Sequence, residues 1–402
     1  MFQKANSYIL SINGGSSSLK FKLYISGSNK LALCGSVDHI GTKTGQLVIR
    51  NSDDKPVFKL VENFEDQFNA TAELISWFKN NQLQYDIIAM GHRLVQGGPN
   101  HRTPEIITDE LLHSLNEFVY LAPNHLPNEI KMIQLFQKAF PGIPQVACFD
   151  TAFHQDMPFC SKYYPLPSKF AEKGLIRYGF HGLSYEYIMM KLAQKTTSAP
   201  REKIVIAHLG NGASMVAVRN GVSIDTTMGL SPMGGLVMGT RSGDLDPGVI
   251  LFLLKQEKLT PDEVDDLLSK QSGLKAIAGT SDVQELLKNE ATDTRAREAL
   301  TVFCYNARKC VGALAAAMGG LDVLIFTGGI GENSAIIRER ICSELDFLGI
   351  SINQKFNYNR QEVISTEQSR VKVKVIATDE EWMIAKHTQT IIDNIKTKEL
   401  CN

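Results

Sequence analysis

The chain of 402 residues carries 42 basic and 43 acidic side chains, a formal net charge of −1, and a hydrophobic content of 43%. Length and composition favour two or three domains with substantial cores. The balanced charge excludes a broad basic surface, so we expect no nucleic-acid or membrane partner, and an anionic substrate would be bound by a few well-placed cations.

The first predicted element is a β-hairpin with a turn rich in glycine and serine. An apolar strand beginning at Tyr8 ends in Asn13-Gly14-Gly15-Ser16-Ser17-Ser18, a second strand passes through Lys20, and Gly27-Ser28 turns into a third. Glycine lets backbone N–H groups approach an anion closely, and serine hydroxyls add donors, so the turn suits a phosphate. A single turn of this kind is more simply explained as an ordinary surface turn.

The same order recurs in the second half of the chain. Apolar Ile204–Ala207 ends in His208-Leu209-Gly210-Asn211-Gly212-Ala213-Ser214, Met215–Val218 follows, and an Asn220-Gly221 turn leads to Val222–Ile224. Asn-Gly between apolar alternations is a strong hairpin signal. The repetition favours a duplicated phosphate-binding fold over two unrelated surface turns.

Between and after the hairpins, strands alternate with helices, which is typical of an α/β architecture. The predicted elements are strands at Ile87–Met90, Gln145–Phe149, Leu321–Phe326 and Val371–Ile376 and an amphipathic helix at 294–318. Ligands gather beyond the carboxyl ends of strands in open α/β sheets. We therefore expect Arg93 and Asp150, which follow the first two of these strands, to lie at a binding site.

Two later loops contain candidate functional residues that also have simpler structural explanations. Arg241 lies in a loop of small residues, where it could pair with Asp244 or Asp246 at the surface. His181 lies between two glycines, where a single histidine is as often structural as functional.

The acidic residue Glu380 opens the C-terminal helix, a position where acids are common because they complement the helix dipole. Together with Asp150 it could instead hold Mg²⁺ through carboxylates, water and phosphate. The glycine turn Gly328–Asn333 has neither the Rossmann spacing nor that of a Walker A loop, which argues against both common nucleotide folds.

Seven cysteines show no Cys-x-x-Cys pair and lie mostly in apolar runs, which favours reduced thiols over disulfides or zinc ligands. The most apolar long run, residues 310–330, contains Asp322 and five glycines and predicts helix, turn and strand rather than a membrane span. The N-terminus lacks the pattern of a secretion signal. We expect a cytoplasmic protein.

These segments together resemble the acetokinase family, within the acetate and sugar kinase, Hsp70 and actin superfamily. Eight segments match the family pattern in the correct order over nearly the full length: Asn13–Lys20, Gly91–Arg93, Phe149–His154, Tyr178–Gly182, His208–Gly212, Met238–Pro247, Gly328–Asn333 and Thr378–Glu381. The resemblance implies an α/β fold with a duplicated actin-like (ribonuclease H-like) βββαβαβα core, in two domains with the nucleotide in the cleft between them. The first domain would comprise residues 1–153 and 384–402, and the second, nucleotide-binding domain residues 154–383.

The resemblance further implies reversible, Mg²⁺-dependent, in-line phosphoryl transfer from ATP to acetate, giving ADP and acetyl phosphate, with Mn²⁺ as an alternative metal and a homodimer as the assembly. The implied catalytic residues are Arg93, Asp150, His181 and Arg241, and the implied metal ligands are Asn13, Asp150 and Glu380. The implied acceptor-binding residues are Arg93, Val95, Asn124, Phe180 and Pro232. The implied nucleotide-binding residues are Asn13, Ser16, Ser18, Lys20, His208, Leu209, Gly210, Asn211, Gly212, Asp282, Val283, Gln284, Gly328, Gly329, Ile330, Gly331 and Asn333.

In this scheme Arg93 and Arg241 bind the acceptor carboxylate and the equatorial oxygens of the transferring phosphoryl group, since the guanidinium fork suits planar oxyanions. His181 donates to those oxygens, and Gly331 passes beneath the adenine, where a side chain would collide. A carboxylate is already a competent nucleophile, so no catalytic base is expected.

The chain departs from the family pattern at several of these positions. A histidine after Gly-His-Arg-x-Val is Gln96 here, and a leucine in the wall of the acyl pocket is the polar Asn124. The family's Asp-x-Arg near the nucleoside ends in Gln284, so we expect weaker discrimination among purine nucleotides. Alternatively, another side chain covers the adenosine and Gln284 faces water.

Two other functions stay open at this point. A propionate kinase or a pyrophosphate-using relative would share every catalytic residue named. A non-enzymatic ATP-binding module of the actin or Hsp70 type is a much weaker alternative, because it would need a peptide-binding appendage or a filament surface for which the sequence shows no additional domain.

Overall fold

The structure is a computed structural model that describes residues 6–15, 18–194 and 202–401. The chain divides into two compact units, the first formed by the residues up to Ala152 and from Asp379 onward, and the second by Phe153–Thr378. Glu380 therefore belongs to the first unit. The division into domains after residues 153 and 383 remains a prediction.

The described residues form the strands β1 Ser7–Gly14, β2 Leu19–Ile25, β3 Lys30–Asp38, β4 Gly45–Asn51, β5 Pro56–Glu62, β6 Asp86–Leu94, β7 Glu105–Ile106, β8 Gln145–Phe149, β9 Lys203–Leu209, β10 Ala213–Arg219, β11 Val222–Thr226, β12 Val323–Thr327 and β13 Lys372–Val375. The helices are α1 Gln67–Asn80, α2 Asp109–Glu117, α3 Leu126–Ala139, α4 Phe159–Lys162, α5 Ser168–Ala171, α6 Gly182–Ala193, α7 Pro247–Lys255, α8 Pro261–Lys270, α9 Gly273–Ala278, α10 Val283–Asn289, α11 Thr294–Met318, α12 Gly328–Asn333, α13 Ala335–Cys342, α14 Gln354–Tyr358 and α15 Glu380–Cys401. Within these ranges, no helix has the length and apolar character needed to cross a membrane.

The two sheets share one topology, which confirms the predicted duplicated α/β fold. The first sheet has the order β5-β4-β3-β2-β1-β6-β8-β7 and the second the order β11-β10-β9-β12-β13. In each sheet three consecutive strands, β1–β3 or β9–β11, are antiparallel neighbours. Two later strands, β6 and β8 or β12 and β13, extend the sheet in parallel from β1 or β9. The first sheet adds β4, β5 and β7 at its edges. Both predicted hairpins are confirmed as β1–β3 and β9–β11.

Helices cover both faces of the first sheet. On one face, side chains of β1 and β2 pack against Phe78 of α1 and Met132 and Phe136 of α3. On the other face, Ile9 and Ala89 pack against Ala385 and Ile392 of α15. Burial of these apolar faces is the main stabilising term, since each fully buried aliphatic or aromatic side chain contributes roughly 1.5–3 kcal/mol.

The second sheet forms its own core. Tyr185 and Ile188 of α6 pack against Ile204, Val216 and Ile325 of the central strands, and α11 lies against β9 and β10. The predicted helix at 294–318 is confirmed as α11. Its N-terminus is capped by Asp293, whose side chain accepts a hydrogen bond from the Arg295 amide, and it ends at Gly319 in the left-handed conformation.

The predicted end of one strand is wrong. The sequence placed Arg93 in a loop after Met90, but β6 continues to Leu94 because it pairs with β1 on one side and β8 on the other. Gly91 lets α15 pack closely on this part of the strand, since a Cβ at that position would lie 2.2 Å from the Thr388 hydroxyl of α15. Arg93 is therefore a strand residue with a fixed backbone.

Candidate functional site

In the first unit, Arg93 and Asp150 form an ion pair at the carboxyl ends of two parallel strands. Arg93 pairs across the sheet with Cys148, which puts Asp150 just beyond β8. The Arg93 Nε donates to Asp150 Oδ2 at 3.0 Å, Nη2 donates to the same oxygen, and Nη1 donates to the Gly14 carbonyl at 3.3 Å. Burial lowers the pKa of Arg93, but the charge of Asp150 and the hydrogen bonds to it outweigh burial, so its pKa is raised.

The second oxygen of Asp150 is chemically available. The residue is fully buried, and Oδ1 has no hydrogen-bond partner among the described residues. A buried carboxylate oxygen without a partner is costly, which favours a cation or a hydrogen-bond donor from a ligand at this position.

Close by, two β-strand side chains organise the acidic start of α15. The amide nitrogen of Asn13 donates to Glu380 Oε2 and to Glu381 Oε1, both at 3.0 Å. The ammonium group of Lys22 lies 2.8 Å from Asp379 Oδ1 and 3.7 Å from Glu381 Oε2. Burial lowers the pKa of Lys22, and the two carboxylates outweigh this and raise it.

The residues predicted as metal ligands fit a magnesium ion. Burial and then the negative charge of Asp150 raise the pKa of Glu380 to about 7, so the two carboxyl groups lie close enough to repel one another. In the described part of the chain, no group of three or more His, Cys, Asp or Glu side chains could hold a metal ion. Two carboxyl groups suit Mg²⁺, which keeps waters and phosphate oxygens as its remaining ligands. The structure thus brings Asn13, Asp150 and Glu380 into one region.

Glu129 is a buried acid in this region that the sequence analysis missed. It lies in the first turn of α3, is 4% exposed, and its Oε2 accepts a hydrogen bond from the Val95 backbone amide at 3.0 Å. Oε1 has no partner within the described ranges. Burial raises the pKa of Glu129 to about 7, while the charge of Arg93 opposes this rise.

The first glycine-rich turn is closed by a hydrogen bond from the Gly15 amide to the Ser18 carbonyl at 2.8 Å. Asn13 and Lys20 face each other across the hairpin, so two of the predicted nucleotide ligands of this turn are neighbours. Ser16 lies outside the described residues.

In the second unit, His181 and His208 stack on each other beside the second glycine turn. Their ring centroids are 4.2 Å apart and the rings are tilted by 17°. The Nδ1 atom of His181 lies 2.8 Å from the Ser214 hydroxyl, and that of His208 lies 2.8 Å from the Ser184 hydroxyl. The backbone of His181 is left-handed, with φ of 60°, a conformation that non-glycine residues adopt at a cost and that recurs at functional sites.

Arg241 and His181 converge on the second glycine turn. A Cβ added to Gly212 would lie 3.4 Å from Arg241 Nη1 and 3.4 Å from His181 Nε2. The Arg241 Nη1 also donates to the Pro232 carbonyl at 3.2 Å. Asn211 lies against Gly239, where a Cβ would be 2.2 Å from its side-chain oxygen, so the Arg241 loop can approach the turn only with glycine at this position. A guanidinium and an imidazole are thus directed at one backbone turn, in which the Gly210 amide donates to the Gly212 carbonyl at 3.0 Å.

A wide pocket of the second unit, about 1440 Å³ counting its open mouth, joins the second glycine turn to α10, α12 and α14. The predicted nucleotide residues that line it are Gly210, Asn211, Asp282, Val283, Gln284, Gly329, Ile330 and Asn333. Gln284 is solvent-exposed at this pocket. Gly331 is buried, and a Cβ there would face the sheet residues Phe326, Ala207 and Leu209 at ordinary contact distances. His208, Leu209, Gly212 and Gly328 lie in the adjoining strand ends and turns.

The same pocket contains two residues that the sequence analysis missed, Tyr358 and Arg360. The Arg360 Nη1 donates to the side-chain oxygen of Asn333 at 3.1 Å. The segment has no recognisable motif, and its polar composition indicates only a peripheral position. A cation therefore lies at this pocket although Gln284 replaces the expected arginine.

Arg338 is buried and hydrogen-bonded to α12 and α14, two helices that line this pocket. Its side chain is fully buried and donates to the Gly331 and Glu332 carbonyls at 2.8 and 3.0 Å and to the side-chain and backbone oxygens of Asn357, both at 2.8 Å. Burial, with the nearby charge of Arg360, lowers the pKa of Arg338 to about 10. No local sequence signal identifies this arginine, because its partners lie on other elements.

The predicted acceptor-binding residues are divided between the units. Val95 is buried and Asn124 exposed in the first unit, and Phe180 is buried and Pro232 partly buried in the second.

Comparison with known proteins agrees with this geometry. The model of the acetokinase family matches residues 8–386. The chain belongs to the acetokinase family. It is similar to an acetate kinase of Caldanaerobacter subterraneus subsp. tengcongensis, with 43% identity over 401 residues covering 96% of this chain and 100% of that protein. It is similar to an acetate kinase of Methylocella silvestris, with 40% identity over 402 residues covering 96% and 98%.

Solved structures of the acetokinase family share the fold. The crystal structure of Porphyromonas gingivalis acetate kinase matches with a TM-score of 0.85 and 39% identity, covering 96% of this chain and 100% of that one. A propionate kinase from Francisella tularensis subsp. tularensis SCHU S4 matches with a TM-score of 0.88 and 37% identity over the same shares. The predicted family and fold class are confirmed.

Proposed function

We propose that the chain transfers the γ-phosphoryl group of ATP to the carboxylate of acetate, giving ADP and acetyl phosphate. Its membership of the acetokinase family makes it a phosphotransferase with a carboxyl group as acceptor. The observation that carries the proposal is the convergence of Arg241 and His181 on the Gly212 turn, because phosphoryl transfer depends on positioned donors around the phosphoryl oxygens. Acetate is proposed because relatives at about 40% identity are named acetate kinases.

The arginine of the first unit is proposed to bind the acceptor. Arg93 is held by Asp150 through Nε and Nη2, so its position is fixed before substrate binds. A fixed guanidinium offsets the repulsion between two anions and orients the carboxylate for attack. The carboxylate attacks the phosphorus with a lone pair, and the bond to the bridging oxygen breaks as ADP leaves, so no proton has to be removed from the nucleophile.

The second unit is proposed to bind the nucleotide. The backbone amides of Asn211 and Gly212 would suit phosphate oxygens, because the Gly210 amide already donates within the turn. The pocket beside Asp282 and Gly329 suits a nucleoside. The imidazole of His181, oriented by the Ser214 hydroxyl, would stabilise negative charge on the transferring group.

Mg²⁺ is the proposed cofactor, and Mn²⁺ a substitute for it. Asp150 and Glu380 would hold the ion, Asp150 through Oδ1, to which no described residue is hydrogen-bonded, and Asn13 orients Glu380. When bound, the metal would neutralise charge on the phosphate oxygens.

Two assays test the proposal. Purified protein with ATP, Mg²⁺ and hydroxylamine should form acyl hydroxamate from acetate, and a wild-type protein that forms none would refute it. The structural match to a propionate kinase makes propionate a second candidate acceptor. An acceptor series of acetate, propionate and butyrate, and a donor series of ATP and pyrophosphate, separate these alternatives.

The chain is further proposed to form homodimers in the cytoplasm. Helix α7 has no buried residues although it is almost entirely apolar, and Leu251 and Phe252 are 51% and 53% exposed. An apolar helix left open in this way suits an interface between two copies. Six described cysteines are free thiols, as expected in a reducing compartment. Light scattering after size-exclusion chromatography should show a dimer for wild type and a monomer for Phe252→Lys. A monomeric wild type would exclude the proposed homodimer.

A further inference from the structure

A line of three hydrogen-bonded side chains in the second unit ends at the imidazole proposed to act in phosphoryl transfer. The hydroxyls of Tyr185 and Ser214 are hydrogen-bonded to each other, and the Ser214 hydroxyl lies 2.8 Å from His181 Nδ1. Tyr185 and Ser214 are both fully buried. The other ring nitrogen, Nε2, lies 3.4 Å from the position that a Cβ on Gly212 would occupy. The line therefore joins the core of the unit to the second glycine turn.

The two hydroxyls of this line are held by different elements. Tyr185 belongs to α6, and its ring packs against those of Phe153 and His154 with centroid separations of 6.0 and 5.7 Å. Ser214 lies in β10, directly opposite His208 of β9. Because a packed ring and a paired strand carry them, both hydroxyl oxygens have fixed positions relative to the imidazole.

The surroundings of His181 favour a ring without charge. Arg241 Nη1 lies 3.4 Å from the same Gly212 Cβ position as His181 Nε2, so a permanent cation is close to the ring. A second positive charge beside a guanidinium is unfavourable. A neutral imidazole has one N–H donor and one acceptor nitrogen. Only the form with its proton on Nε2 can donate to a phosphoryl oxygen at the glycine turn.

We propose that Tyr185 is a positioning residue that keeps the proton of His181 on Nε2. The Tyr185 hydroxyl donates to Ser214 Oγ, the Ser214 hydroxyl donates to His181 Nδ1, and the Nε2–H group donates to an oxygen of the transferring phosphoryl group. The hydrogen bond made by one ring nitrogen sets the protonation of the other. The inference rests on the proposed role of His181 and adds Tyr185 to the same site.

The opposite tautomer costs a hydrogen bond at each end of the line. With its proton on Nδ1, the ring would donate to Ser214 Oγ, which already accepts from Tyr185. The Ser214 proton would then lose its acceptor in a fully buried position, which is unfavourable. At the other end, the Nε2 lone pair would face phosphoryl oxygens, which are acceptors as well. Donation by the Tyr185 hydroxyl thus selects the tautomer that the transfer requires.

The position of the proton is measured directly by nuclear magnetic resonance. Long-range correlation of ring protons with nitrogens in protein labelled with ¹⁵N-histidine distinguishes the two neutral tautomers and the doubly protonated ring. His181→Asn, a residue that tolerates the left-handed backbone, identifies the His181 signals by their absence. At neutral pH and without nucleotide, wild type should show the Nε2–H form. A ring protonated on Nδ1 alone, or on both nitrogens, would overturn the inference.

The variant Tyr185→Phe removes the first donor and keeps the ring. Ser214 Oγ can then accept from Nδ1–H, so His181 should become a mixture of both tautomers. We expect kcat to fall about 10-fold, because the wrong tautomer cannot stabilise charge on the phosphoryl group. KM for ATP should change by less than about 3-fold, since the lost interaction is made mainly in the transition state.

Tyr178→Phe is the matched control in the same unit. It also removes the hydroxyl of a buried tyrosine, one that donates to the Gly174 carbonyl at 3.0 Å. It should leave the His181 spectrum and kcat unchanged, which separates an effect on the tautomer from a general effect of losing a buried hydrogen bond.

Wild-type kcat or an unchanged His181 spectrum in folded Tyr185→Phe would overturn the inference and leave the proposed function intact. If Tyr185→Phe does not fold, Ser214→Ala, which removes the donor to Nδ1, should show the same loss of kcat and of the Nε2–H form, and a wild-type result would again overturn the inference. If wild-type protein transfers no phosphoryl group to any acid, the proposed function is refuted, and the spectra of wild type and Tyr185→Phe still decide whether Tyr185 sets the tautomer.

Discussion

The two arginines proposed for catalysis differ in how far the fold depends on them. The side chain of Arg93 is 15% exposed and pairs with the fully buried Asp150, whereas Arg241 lies in a loop and donates to the Pro232 carbonyl. Arg93→Ala leaves a buried carboxylate without its cation, and breaking such a pair costs roughly 3–5 kcal/mol. Arg241→Ala removes a hydrogen bond from a charged group, which costs about 1–3 kcal/mol. We therefore expect the larger loss of unfolding free energy at Arg93.

Urea denaturation followed by circular dichroism measures this difference. Arg50→Ala is the matched control, because Arg50 pairs with Asp54 at the surface, where the side chains are 42% and 84% exposed and the expected loss is at most about 1 kcal/mol. In the hydroxamate assay, both catalytic variants should lose about 10²–10³ in kcat, the scale of one preorganised donor.

The double variant Arg93→Ala/Asp150→Ala should recover part of the stability lost in Arg93→Ala, because it removes the unpaired carboxylate. Equal losses for Arg93→Ala and Arg50→Ala would show that the buried pair does not support the fold. Near-normal turnover of the Arg93 or Arg241 variant would exclude that arginine from the mechanism.

Three further predictions concern the metal, the nucleotide and pH. Asp150→Asn and Glu380→Ala should each raise the Mg²⁺ concentration needed for half-maximal rate and lower kcat, and an unchanged Mg²⁺ titration in both would make these carboxylates structural. Gln284→Arg should increase the ratio of kcat/KM for ATP over GTP, ITP and pyrophosphate; if only Arg360→Ala changes that ratio, Arg360 is the selecting cation. Because the Glu129 carboxyl keeps its proton up to about pH 7 in the native state but loses it near 4.5 when unfolded, it makes the free energy of unfolding fall between those values by about 3 kcal/mol. Denaturation at pH 5 and pH 8 should show a smaller fall in Glu129→Gln than in wild type, and an identical fall would assign the effect elsewhere.

Local patterns in the sequence predict much of the fold because they depend on neighbouring residues. Glycine turns between alternating apolar segments predict the hairpins at β1–β3 and β9–β11. The helical spacing of apolar residues predicts α11. The end of β6 is not predictable in this way, since the continuation of the strand through Arg93 depends on pairing with β1 and β8.

Buried polar residues at the candidate site are also not predictable from local sequence, because their burial depends on tertiary contacts. Glu129 lies in the first turn of α3, a position where acidic residues are common in surface helices. Its burial results from packing around α3 and is not visible in the local sequence. Arg338 has the local sequence of an exposed helix residue, and its burial depends on Asn357 of another helix. Sequence motifs identify Arg241 and His181, but they do not identify buried supporting residues such as Glu129 and Arg338.

The route of the chain through the first unit has a consequence for biosynthesis. The strands that carry Ile9 and Ala89 are translated before the second unit, whereas the helix that covers them, with Ala385 and Ile392, is translated after it. The second unit is continuous and is complete before that helix exists. During translation one apolar face of the first sheet therefore stays exposed until α15 is synthesised. Nascent chains, and chains truncated before α15, expose this face to chaperones or to one another.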